Sequence, residues 1–415
     1  MKKTLYILIS FTFLQCGDPG WRTHGTVSQR TVYLPEALYG HQATTLPDGN
    51  ILVTGGLDRQ DDAQRWAYLW QVHRRQAENI GGYFGQDSLE VPRVFHQQTM
   101  MTILGGYGDV LISGGDTESG ITATCEVYDY SRDRIYRTGH LRTDRKNHTL
   151  TEINDPTSPA MHGQILATGG RTDSGFFSTE ITNKAEVYHP RGGSWAELSS
   201  RLNIGREKHT STMMANGMVL IVGGNTNNGV TNTAEVFDPA SQRFMMIPST
   251  LSIPRQLHTA TYIDNGTPFN PSDDAVLIVG GRGTGSDGYD SADLYDVKTT
   301  RFIPVSGRLN HGVFYHTATR LQDTSLGDVV ISGGFKDEPG FFGGTYGTNP
   351  TDDVMVFHYT YDPILGPSGV FAKTTDLIRV RAMHTSNTIR IRTLLFLGGV
   401  DGSEDARNTG EEFFY

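Results

Sequence analysis

The sequence predicts an all-β chain folded as a seven-bladed β-propeller, its last blade closed by a strand from near the N-terminus. Three observations predict it. A Gly-Gly pair ending an apolar run recurs seven times, a histidine segment precedes every pair, and an acidic-apolar-aromatic run follows most of them. Self-similarity at a period of roughly 55 residues is the mark of a repeat architecture.

The Gly-Gly runs are VTGG, ISGG, ATGG, IVGG, IVGG, ISGG and FLGG, whose first glycines are Gly55, Gly114, Gly169, Gly223, Gly280, Gly333 and Gly398. The histidines ahead of them are His41, His96, His148, His209, His258, His316 and His384. After most pairs come a loop and then CEVYD, AEVYH, AEVFD or ADLYD, followed by an aromatic segment such as RIYRT, SWAEL, RFMMI or RFIPV. Each unit therefore holds four short strands rich in Val, Ile, Thr and aromatics and bounded by Gly, Asp, Asn and Pro. Nothing long carries helical periodicity. Four-stranded repeats of this length are blades of a propeller.

The seventh unit stops at EEFFY (411–415), its third strand, while QRTVYLPEAL (29–38) reads as a fourth strand with no preceding three. The segment 31–34 is expected to complete the seventh blade and close the ring, which removes two open sheet edges.

Ahead of the repeats, Lys2 and Lys3 precede an apolar run at 5–14, too short for a resident membrane helix. It ends in FLQC, which resembles a bacterial lipoprotein signal with Cys16 as the lipidated residue, although Phe13 and Gln15 depart from the strict pattern. The expected organisation is a signal peptide at 1–15, a tether at 16–26 and a propeller at 27–415. That resemblance implies export, with an N-terminal lipid as the only membrane attachment, at the outer membrane or surface of a Gram-negative-type bacterium; the chain is expected to be a monomer. The other cysteine, Cys125, occupies a place where sister units have Ala185, Ala234 and Ala292, and reads as a small buried filler. With 45 acidic against 35 basic residues, net charge -10 and no basic stripe, nucleic acid is not an expected partner.

The double glycine, the E-x-Y/F-D strand and the later aromatic resemble the kelch repeat. The R-x-x-H-T/S-A segment resembles its variant in galactose-oxidase-like propellers. The resemblance spans about 27–415. It implies the fold but not the function, since such propellers host both enzymes and interaction modules.

Within the repeats, an arginine three residues before the histidine occurs in five units: Arg93, Arg145, Arg206, Arg255 and Arg381. The acid opening the third strand is Glu126, Glu186, Glu235, Asp293 and Glu412 in those same units. Units one and six have Leu38 and Val313 for the arginine and Tyr68 and Met355 for the acid. The matching gaps predict intra-blade ion pairs, with Gly-Gly leaving room for the guanidinium to cross. Seven equivalent histidines predict a structural role, because a ligand site needs unlike residues converging on one point.

Function is expected where the pattern breaks, in neighbouring units six, seven and one. The long loop GFKDEPGFFGGTYGTNPTDD (334–353) offers Phe335, Lys336, Phe341, Phe342 and Tyr346; Trp66 and Arg407 lie in the loops of units one and seven. Exposed aromatics beside mixed charge suit a protein or carbohydrate partner. No catalytic residue, metal or cofactor is assigned. The alternatives are a secreted sugar isomerase or mutarotase, with His311, His316 and Glu338 as candidates, and, with less support, a galactose-oxidase-like copper enzyme. YHTAT (315–319) resembles the copper-ligand strand of that family, but the crosslinked Cys and the later His it needs have no match. Asp- and Asn-rich loops such as DTESG and NTNNG read as hairpin turns.

Overall fold

A computed structural model describes residues 25–415 apart from 29–31, 81–87, 176–177, 268–269, 286, 322–326, 338–348 and 402–404. Seven four-stranded antiparallel sheets form a β-propeller. The innermost strands are Gln42–Thr45, Gln97–Met100, Thr149–Glu152, Thr210–Met213, Thr259–Ile263, Thr317–Arg320 and Thr385–Arg390. Each is half-buried and lines the central channel with Thr and Gln.

The second strand of each blade, such as Val219–Val222 or Val329–Ser332, is buried throughout. It meets neighbouring blades on both faces, which is why it reads as a continuous apolar run rather than an alternating one. The third strands are five residues in blades one to five, and their aromatics (Tyr128, Tyr188, Phe237, Tyr295) fill the seams.

The ring closes through two short segments, not one. Thr26 and Val27 pair with Phe414 and Phe413, and Val32 and Tyr33 pair with Gly410 and Thr409. Together they form the fourth strand of blade seven, with Val32 and Leu34 buried against Trp70 of blade one.

The Gly-Gly pairs join blades. The N–H of each second glycine donates to the carbonyl of the next blade three residues before its histidine. Examples are Gly56 to Arg93 (3.0 Å), Gly115 to Arg145 (2.9 Å) and Gly281 to Val313 (2.8 Å), and Gly399 to Leu38 (2.9 Å) completes the circle. Each histidine Nε2 then bonds a hydroxyl of the preceding blade, for example His96 with Thr54 (2.9 Å), His148 with Ser113 (2.9 Å) and His41 with Thr385 (3.1 Å). Where the residue before the glycines is Val222, Val279 or Leu397, a threonine on the inner strand supplies the hydroxyl instead: Thr210, Thr259 or Thr385. Burial in the seams lowers His41 to about 4 and His209 and His316 to about 3, so all three are neutral near pH 7.

The arginines lie fully buried inside their own blades. Arg93 meets Glu126 at 2.7 Å, Arg145 meets Glu186 at 2.5 Å, Arg206 meets Glu235 at 2.9 Å and Arg255 meets Asp293 at 3.0 Å. Each also donates to the first glycine's carbonyl, as Arg255 does to Gly280 at 2.7 Å.

Blade seven departs from expectation. Arg381 pairs with Glu411 at 2.5 Å, not with Glu412. The register explains this. The acid always faces the residue two before the first glycine, as Ile112 faces Glu126, and in blade seven Phe396 faces Glu411. Glu412 points to the other face and meets Arg75 of blade one at 2.6 Å. In blades one and six the ion pair is replaced by buried apolar neighbours, Leu38 with Tyr68 and Val313 with Met355.

Candidate ligand site at the channel mouth

The residue before each histidine has a left-handed backbone in all seven blades: Gly40, Phe95, Asn147, Lys208, Leu257, Tyr315 and Met383, with φ between 52° and 62°. Apart from glycine, and to a lesser degree asparagine, such residues avoid this region, at a cost of roughly 1–2 kcal/mol each. Backbone bonds between blades hold them there. Lys208 N–H donates to Asn147 (3.0 Å), Leu257 to Lys208 (3.2 Å), Met383 to Tyr315 (3.0 Å) and Gly40 to Met383 (3.1 Å). Repetition explains the backbone; it does not explain the side chains, which are all different. They ring one mouth of the central channel, above a cavity of about 530 Å³ walled by the inner strands. A cavity ringed by unlike side chains is a candidate ligand site.

The mouth has two halves. On blades six, seven, one and two it is apolar: Tyr39, Leu57, Val94, Phe314, Phe335, Ala382 and Met383 form one cluster with Phe95 and Tyr315 against it. On blades three and four it is charged, while Leu257 of blade five packs against the apolar cluster. Arg171 binds Glu207 through Nε (3.1 Å to Oε1), Asn147 and Asn225 reach the same carboxylate at 3.3 Å, and Lys146 pairs with Asp116. Burial opposes charge on Glu207, but the Arg171 bond and nearby Lys208 outweigh it and hold the carboxyl below the ordinary range. Burial lowers the Lys208 ammonium; Glu207 counters this, while Arg282, Arg171 and Lys146 add to it. Arg282 lies over the Phe314 ring at 4.9 Å, at the border between the halves.

The sequence-predicted binding residues are scattered. Phe335 is not an exposed rim aromatic; it is fully buried, packed on Phe314 at 5.8 Å between ring centres. Lys336 is half-buried beside it. Trp66 is 37% exposed and stacks on Tyr68, while Arg407 pairs with Asp401. Phe341, Phe342, Tyr346 and Glu338 lie outside the described residues, as does Cys16. Cys125 is buried and its thiol is pushed up to about 12 by desolvation. DTESG and NTNNG form two-stranded hairpins, Asp116–Thr117 with Gly120–Ile121 and Asn225–Thr226 with Gly229–Val230. The mouth residues were missed in the sequence, where their variation looks like noise beside seven constant histidines.

This blade geometry defines a seven-bladed β-propeller. No family profile matches the chain, and no curated relative does. Among solved structures it is similar to YjhT, at TM-score 0.53 and 16% identity, over 75% of this chain and 94% of that one. It is also similar to a fungal alcohol oxidase of the AA5 family in complex with copper, at TM-score 0.67 and 16% identity, over 94% of this chain and 76% of that one. These likenesses are of fold.

A copper centre does not suit the residues seen here. His316 turns its Nε2 into the seam, onto Thr259 at 3.0 Å, and its Nδ1 is enclosed. Cys125 opens a third strand and is enclosed in a blade core with Leu111, Leu141 and Trp195. Among the described residues no three His, Cys, Asp or Glu side chains gather as metal ligands.

Proposed function

We propose that the chain is an exported, lipid-anchored propeller of the cell envelope that binds a glycan at the channel mouth. The carrying observation is the two-sided ring: Phe95, Tyr315 and Met383 face Asn147 and Lys208 across one cavity. A sugar has the same division, with C–H faces that stack on aromatics and hydroxyls that take hydrogen bonds. The Lys208 amine beside Arg171, Lys146 and Arg282 favours a ligand carrying a carboxylate. The test is a glycan array followed by titration. Lys208→Met and Tyr315→Ala each lower affinity for the captured glycan at least about tenfold, the scale of one lost polar or stacking contact. Loss of capture in Phe341→Ser/Phe342→Ser, with the mouth variants unaffected, moves the site to the blade-six loop.

A second reading is a sugar isomerase or mutarotase. It draws on Lys208, whose lowered pKa places more of it in the neutral form that can take a proton. Accelerated anomer exchange by NMR, lost in Lys208→Met, distinguishes it from simple binding.

A further inference from the structure

Lys208 is the one amine among the seven left-handed residues that ring the mouth. Its backbone is fixed from both sides. Its N–H donates to Asn147 O at 3.0 Å, and its own carbonyl accepts from Leu257 at 3.2 Å. From this rigid point the half-buried side chain lines the cavity, with Phe95, Tyr315 and Met383 on the other wall.

The carboxylate that most favours its ammonium form is already taken. An ionised carboxylate offers about four lone-pair sites. At Glu207, itself buried, four N–H groups fill them: Arg171 Nε at 3.1 Å, Arg171 Nη2, Asn147 Nδ2 at 3.3 Å and Asn225 Nδ2 at 3.3 Å. Glu207 therefore acts on Lys208 through space alone. Among the described residues none accepts a hydrogen bond from Lys208 Nζ.

The remaining surroundings oppose the charge. Desolvation is the largest influence, and Arg282, Arg171 and Lys146 add their repulsion. Both arginines keep their charge at any ordinary pH, and Lys146 is held by Asp116, so the repulsion is relieved where Lys208 gives up its proton. A lysine that is both desolvated and set beside cations is the arrangement that makes its amine a nucleophile.

We propose that Lys208 is a covalent site for aldehydes and ketones, the open-chain forms of reducing sugars among them, and holds them as an imine. The neutral Nζ attacks the carbonyl carbon and forms a C–N bond, while the carbonyl π pair moves to the oxygen and takes up a proton. That oxygen then leaves as water and C=N forms. The two hydrogens of the neutral amine and the carbonyl oxygen make up the water released, so no oxidant or reductant enters. The inference rests on the mouth being the ligand site, as proposed above, but it names a different event from the binding of a closed sugar ring.

The test uses the full chain with D-glyceraldehyde and sodium cyanoborohydride, which reduces an imine to a stable secondary amine. Peptide mass mapping follows each lysine with time from about pH 6 to about pH 9. Lys298, exposed in the third-to-fourth turn of blade five, is the reference. Near pH 7 Lys208 is labelled at least about threefold faster, because neutral amine gains about tenfold per unit of lowered pKa while nucleophilicity falls by less. The ratio of the two rates shrinks as pH rises and Lys298 loses its proton in turn. A ratio at or below one near pH 7, or one that stays constant with pH, overturns the proposal. Glycan capture with Lys208 unlabelled leaves the binding reading standing and removes this one; a labelled Lys208 with no glycan captured does the reverse.

Discussion

Arg255 and Asp293 meet at 3.0 Å with neither side chain exposed, and blade six places Val313 and Met355 at the equivalent positions. Evolution of one chain has thus filled a single structural slot in two ways, by a charge pair and by an apolar pair. Removing one charge leaves the other buried, at a cost on the order of 3 kcal/mol. Arg255→Val and Asp293→Met should each approach that loss in urea unfolding. The double variant, which copies blade six, should recover at least about 2 kcal/mol of the sum. Additive losses would show that the two groups are stabilised independently.

The first glycine of a pair should tolerate no side chain. At Gly280, φ is 61° and a Cβ would come within 2.6 Å of Val313 O and 2.7 Å of His316 Cε1. Gly229 also has a positive φ, 102°, but nothing within 4 Å of its Cβ position. Gly229→Ala should cost about 1–2 kcal/mol, the backbone penalty alone. Gly280→Ala should cost at least about 2 kcal/mol more, because a blade seam must open. Equal melting temperatures for the two variants would refute the seam argument.

The seam histidines should make the fold sensitive to mild acid. His316 falls from 6.5 to about 3 on folding, chiefly by desolvation. Above pH 6.5 both states are neutral and the group contributes no pH dependence. Below it the unfolded chain takes up a proton that the folded chain refuses. Stability then falls by up to about 1.4 kcal/mol per pH unit for each such histidine, down to pH 3 for His316 and pH 4 for His41. The deficit of His316→Gln relative to the parent should therefore shrink by about 2 kcal/mol between pH 6.5 and pH 5. A deficit that stays constant with pH would mean the ring is protonated in the folded state.

The N-terminal strand should stabilise the whole ring. Deleting residues 17–37 removes the partners of Gly410 and Phe413 and uncovers Trp70. The melting temperature of the whole propeller should drop in one transition. Unchanged melting would rule out a closing role.

Most of the fold was legible because blades repeat. Gly-Gly, histidine and acid positions each recur often enough to align, and the paired gaps at Leu38/Tyr68 and Val313/Met355 located the ion pairs. The error at Glu412 came from two adjacent acids. The aromatic two residues after the acid does not separate them, because Phe413 follows Glu411 and Phe414 follows Glu412 at the same spacing; only the strand register does. The candidate site was less legible. Nothing in the identity of Phe95, Leu257 or Met383 announces a left-handed backbone, because inter-blade hydrogen bonds impose it against local preference. Phe335 was misjudged for a related reason: glycines around an aromatic suggest exposure, whereas the chain folds Phe335 back onto Phe314.

The order of synthesis gives blade seven a further consequence. Thr26–Val27 and Val32–Tyr33 are made before the first six blades, and Thr409–Phe414, which they must pair with, after them. The circle cannot shut before Thr409–Phe414 has been made. Until Thr409–Phe414 arrives, the N-terminal strand has no partner, and the second strands of the outermost finished blades lie open on one side. A chain built this way matures in a single late event, and any helper that shields it has to act before that moment.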